Sequence, residues 1–94
     1  MTGDDRLCDF IDDLLAILRV GEHDVLWTRF DSVDQVVAEL EQLRGRISNG
    51  DGAARQEFRI LCLPTGAIDD IAISSGWTEN WVKLVDGKYR SAFP

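Results

Sequence analysis

The side chains best equipped for chemistry in this chain are its carboxylates, which fall into two groups, Asp9, Asp12 and Asp13 near the start and Asp69 with Asp70 in the second half. Grouped carboxylates can hold a hard cation or divide acid and base work between them. On a helix, however, Asp9 and Asp13 stand one above the other while Asp12 is turned away by about 100°. No glycine-containing calcium loop and no third oxygen-rich segment accompanies either group, so both read as solvated helix faces. His23 is the sole histidine, set between Glu22 and Asp24. Nucleophilic chemistry would require it to meet Cys8 or Cys62. Cys8 follows Leu7 in an apolar-periodic stretch and Cys62 lies inside an apolar run, so both read as packing residues. Ser74-Ser75-Gly76 and Pro64-Thr65-Gly66 lack the glycine-rich length and the following lysine of a nucleotide loop, and turn chemistry accounts for them. The sequence therefore predicts no enzyme, no metal site and no cofactor.

The charge balance restricts the partners. Seventeen acidic residues against ten basic give a formal charge of −7, which opposes nucleic acid and anionic membrane, because phosphate contacts need clustered Lys and Arg. A cationic protein is the partner this balance favours. With 94 residues and 45% hydrophobic content the chain has material for one core and not two, and no linker or repeat divides it, so residues 1–94 read as a single domain. Two cysteines in an aliphatic-rich chain do not make a disulfide scaffold. The opening Met-Thr-Gly-Asp-Asp carries acid where a signal peptide carries base, and no apolar run reaches the ~18 residues of a membrane span. A cytoplasmic location is expected.

The elements that would position these groups begin with an amphipathic helix from Asp4 to Val20, where Leu7, Phe10, Ile11, Leu14, Leu15, Ile17 and Leu18 recur at three- and four-residue steps. Gly21 stands where a left-handed residue would end it. Trp27 and Phe30 are large for a solvated connector and are expected to cover one end of the core. Ser32-Val-Asp-Gln35 has the form of a capping box ahead of Val33, Val36, Val37, Leu40, Leu43 and Ile47, predicting a second helix to about Ser48. Asn49-Gly50 ends it, and Asp51 can cap a third segment.

From Glu57 onward two readings compete. In one, Phe58–Leu63 ends a buried helix with Ala54, Phe58, Leu61 and Cys62 on one face, and Trp77-Thr78 followed by Val82 opens a last helix as hydrophobic staple and cap. Asp86-Gly87 then ends that helix and the tail from Lys88 packs back as an extended arm. In the other, residues 57–63 pair with 68–74, and 81–85 with 88–93, as antiparallel strands turning at Asp86-Gly87. The helical version, a mainly α single-domain bundle, is preferred; the alternative is α+β, with two N-terminal helices on a C-terminal antiparallel sheet.

Gly50-Asp51, the apolar run Ile60–Leu63, Pro64-Thr65-Gly66, and Gly76-Trp77 followed by Glu79 together resemble a pattern in small uncharacterised bacterial proteins, some loosely related to immunity proteins that neutralise bacterial toxins. The resemblance covers about the second half of the chain and consists of structural punctuation. The pattern continues into a longer acidic helix, which Val85-Asp86-Gly87 interrupts here, and it transfers no functional residue.

These readings converge on an acidic binding module, immunity- or antitoxin-like, that occludes a cationic effector such as a nuclease toxin. Asp69, Asp70 and Glu79 would steer the partner, and Trp81, partly available at the surface, would anchor it. The competing class is a homodimer or accessory subunit in which a second copy completes the apolar face of the first or second helix.

Overall fold

Periodicity and caps decide the first half of the fold. The computed structural model describes residues 3–25, 28, 30–63 and 66–90, and all its regular elements are helical: α1 (Gly3–Leu18), α2 (Val33–Ser48), α3 (Gly52–Leu61), α4 (Ala67–Ser75), α5 (Thr78–Val82) and a π-helical segment (Lys83–Lys88). No strand is present among the described residues, so the mainly α reading holds and the sheet alternative does not. α1 turns Leu7, Phe10, Ile11, Leu14, Leu15 and Leu18 inward, and α2 answers with Val36, Leu40, Leu43 and Ile47. These two stripes make the most extensive helix pairing, and α3 packs on α2 and buries Ala54, Phe58 and Leu61. Both long helices thus cover their apolar faces within the chain itself. Phe30 is buried as expected, while Trp27 lies outside the described residues.

The caps have local causes. The Ser32 hydroxyl accepts the Gln35 amide at 3.3 Å, but the Gln35 side chain takes the amide of Asp31 at 2.8 Å, one residue earlier than a standard capping box. Asp51 accepts the amides of Ala53 and Ala54 at 2.9 and 3.3 Å, meeting two of the donors that a helix start leaves open. At the other end of α4, Gly76 adopts φ +84°. Its left-handed turn lets the Trp77 amide reach back to the Ala72 carbonyl at 2.9 Å, a Schellman closure that a residue with a Cβ would strain. Gly66 serves another purpose, since its φ is ordinary. An added Cβ there would sit 2.8 Å from the carbonyl oxygens of Ile60, Leu61 and Leu63, so the α3–α4 connection can be this tight only with glycine.

The last elements depart from expectation. Thr78 is not a side-chain cap: it begins α5, its hydroxyl directed at the Ala72 carbonyl at 3.5 Å, and Val82 is exposed instead of stapled. Asp86-Gly87 does not end the helix either. The chain widens into i→i+5 bonding, seen in the Tyr89 amide donating to the Leu84 carbonyl at 2.8 Å, and this carries it through Gly87 to Lys88. Widening delivers Tyr89 onto α1, where the ring is 1% exposed.

Leu40 is fully buried on the α1-facing stripe of α2. Leu40→Ala should lower unfolding free energy by about 2–5 kcal/mol in a urea melt with unchanged slope; a loss under about 1 kcal/mol would mean that this stripe carries little of the packing.

Candidate functional site

Two adjacent carboxylates of α1, Asp12 and Asp13, are taken by different partners. Asp12 receives Arg44 of α2 in a two-pronged bond, Nε to Oδ1 at 2.6 Å and Nη2 to Oδ2 at 3.0 Å, which raises the guanidinium's proton affinity further. Asp13 faces the C-terminal turn and accepts both the Tyr89 hydroxyl at 2.6 Å and the Lys88 ammonium at 2.9 Å. Burial works to raise the Asp13 pKa, but the bonds from Tyr89 and Lys88 and the charges of Lys88 and Arg6 outweigh it, leaving the carboxyl below its ordinary value. Arg6 closes the cluster by donating to the Lys88 carbonyl and lying over the Tyr89 ring, 4.8 Å from its centre. The group is a clasp between the two ends of the chain.

A second assembly surrounds His23. Its Nε2 lies 3.0 and 2.9 Å from the carbonyl oxygens of Ile17 and Val20 at the end of α1, and its Nδ1 is 3.0 Å from Nε1 of Trp77. An indole N–H only donates and a carbonyl only accepts, so the ring is the neutral tautomer with the proton on Nε2. Next to it the Asp24 amide donates to the Ser75 hydroxyl at 2.7 Å, tying the connector to the end of α4. Between them opens a groove of about 560 Å³ lined by Glu22, His23, Asp24, Val25, Asp31, Ser74 and Ser75. Three of the described lining residues are carboxylates and none is Lys or Arg. Asp70 precedes Ser74 by four residues on α4 and so extends the acidic rim by one helical turn.

The sequence-selected contact residues separate in this geometry. Trp81, expected to be partly available, is 2% exposed and requires correction: α5 turns its ring inward against Phe10 and Trp77, and its Nε1–H donates to Asp69 Oδ1 at 3.1 Å. Asp69 is thereby bound to the interior side of α4, while Asp70 is half-buried and Glu79 is exposed opposite Lys83 at 3.4 Å. What the sequence reading passed over is the groove. Its only local signal is the density of acid in Glu22, Asp24, Asp31 and Asp34, because the serines that complete it lie some fifty positions away.

Both cysteines are buried and unbridged. Cys8 directs its thiol toward the Arg44 carbonyl at 3.8 Å, and burial pushes the Cys62 thiol pKa well up, disfavouring the thiolate that nucleophilic or ligand chemistry requires. None of the three partners of the His23 nitrogens is a sulfur. Among the described residues no group of three or more His, Cys, Asp and Glu is arranged to hold a metal ion, and no helix is long and apolar enough to cross a membrane. Compared with protein-family models, curated proteins and solved structures, the chain matches none.

The Asp13 clasp has a pH signature. Because its folded value lies below the ordinary 3.8, its contribution is full well above that pH and fades as acid protonates the folded carboxylate. Asp13→Asn should therefore be less stable than the wild type at pH 7, by no more than about 1 kcal/mol given solvent screening, and the difference should narrow when the melt is repeated in acid below the ordinary carboxylate value of 3.8. An equal deficit under both conditions would assign the loss to packing.

Proposed function

We propose that this chain is an acidic protein-binding module, immunity- or antitoxin-like and cytoplasmic, that neutralises a cationic effector such as a nuclease toxin by occlusion. The observation that carries the reading is the groove beside His23, with Glu22, Asp24 and Asp31 on its walls, no cation among its described lining residues, and Asp70 prolonging its rim. The disposition of charge elsewhere supports it. Arg19, Arg44, Arg46, Lys83 and Lys88 are each held by a carboxylate of the same chain. Exposed pairs of this kind add little stability, about 0–1 kcal/mol each, but they cancel local positive potential and leave the surplus of −7 to act outward. A basic surface, such as the groove with which a nuclease grips its substrate, is the electrostatic complement.

Asp70 is given the steering role at the groove rim, Glu79 is paired with Lys83 and contributes less to it than the sequence suggests, and Asp69 with Trp81 supports the α4–α5 joint beneath. An alternative in which a second copy completes α1 or α2 draws less support, because both apolar faces are already covered. Catalysis draws none from the positions of Cys8, His23 and Cys62.

Affinity capture from the native cell, followed by stopped-flow association with the purified partner, tests the reading. The captured partner should be basic, and its on-rate should fall about tenfold or more between low and physiological salt as screening shortens the reach of the field. Glu22→Gln, Asp24→Asn and Asp31→Asn combined should slow association and flatten the salt dependence, with a smaller effect on dissociation. A basic partner whose on-rate ignores both salt and the triple substitution would overturn the role given to the groove.

A further inference from the structure

We infer that His23 and Trp77 form a pH-operated latch between the end of α1 and the α4–α5 joint. The geometry admits one hydrogen-bonding scheme. The Nε2 proton is shared between the Ile17 and Val20 carbonyls, so the lone pair of Nδ1 is the only part of the ring that can hold the Trp77 indole. A second proton has one place to go, that same Nδ1. Once it binds, an N–H confronts an N–H across 3.0 Å and the bond to Trp77 is lost, while the bonds to the α1 carbonyls persist. The latch therefore releases at its Trp77 side and stays attached to α1.

The surroundings make the protonated arrangement a defined state. The described titratable and charged groups that line the groove beside the ring are Glu22 and Asp24 on its own connector and Asp31 ahead of α2, with Asp70 one helical turn before Ser74 on α4. The end of α4 contributes the neutral Ser74 and Ser75. Ile17 and Val20 supply the carbonyls of a helix C-terminus, which attract positive charge. An imidazolium at this position thus keeps partners in the carbonyls and the acidic groove, whereas Trp77, edge-on to the imidazole at 5.9 Å and 8% exposed, loses the acceptor for the one polar atom of its side chain. Protonation of the ring therefore exchanges a closed α1–α5 contact for a positive charge beside Glu22, Asp24 and Asp31. This inference stands on the ring geometry and not on the proposed partner.

Nuclear magnetic resonance of the full chain tests it. At pH 8 the His23 ring nitrogens should report the Nε2–H tautomer, and the Trp77 indole N–H, assigned by its absence in Trp77→Phe, should be shifted by its bond to nitrogen. On lowering the pH to 5 that signal should move toward the position of an unbonded indole, following the same single-proton curve as the His23 ring, with Trp81 unaffected or following at smaller amplitude. His23→Asn offers an acceptor near Nδ1 that does not protonate, and should remove the pH dependence of the Trp77 signal. An Nδ1–H tautomer, a Trp77 signal indifferent to His23 titration, or an unaltered pH response in His23→Asn would each overturn the latch. Should His23→Asn fail to fold, coincidence of the two wild-type curves decides between the same results.

Discussion

Phe10 is the ring on which the bundle closes. It projects from α1 into three aromatic neighbours drawn from three later parts of the chain: Phe58 of α3 edge-on at 5.3 Å, Trp81 of α5 at 5.8 Å, and Tyr89 stacked in parallel at 4.6 Å. α3, α4 and α5 have 10, 9 and 5 residues, too short to persist alone in water, where isolated helices under about 12–15 residues are marginal. Their order comes from packing, α3 on α2 and α4 between α3 and α5, with Phe58 and Trp81 tying α3 and α5 to Phe10 of α1. The Asp13 clasp adds direction to this packing by fixing which way the Tyr89 ring enters.

The same dependence explains where the acidic groove comes from. Its walls are the connector after α1 and the last turn of α4, and the connector has no regular structure to hold it in place. The bond from Asp24 to Ser75 and the link from α1 through His23 to Trp77 do so, and both act at the point where Gly76 turns the chain from α4 into α5. Trp81 secures the other side of that turn through Asp69. A surface of carboxylates, which would repel one another if free to move, is thereby held on a joint fixed by tryptophans.

How much of this was legible in the sequence follows from the range of the interactions. α1 and α2 repeat their apolar residues over four turns, so Leu14, Leu18, Val36 and Leu40 could be placed in the core, and Ser32 and Asp51 marked the starts of α2 and α3 because capping is local. The segment from Thr78 to Lys88 could not be read in this way. Five residues of α5 carry too little pattern to reveal that Trp81 faces inward, and Asp86-Gly87 is a sound turn signal that tertiary contact overrides: docking Tyr89 on Phe10 favours the widened helix that a local reading excludes. The groove was illegible for a different reason, since Asp24 and Ser75 meet across 51 positions of sequence and no periodicity encodes that meeting.

Native-state hydrogen exchange on Phe10→Leu tests the organising role of this ring most directly, because leucine keeps an apolar side chain on α1 but removes the aromatic surface that three elements share. Amides of α3, α5 and residues 83–90 should lose protection by a larger factor than those of α2. An equal loss in every element, or none in residues 78–90, would contradict the account and make Phe10 one core contact among many.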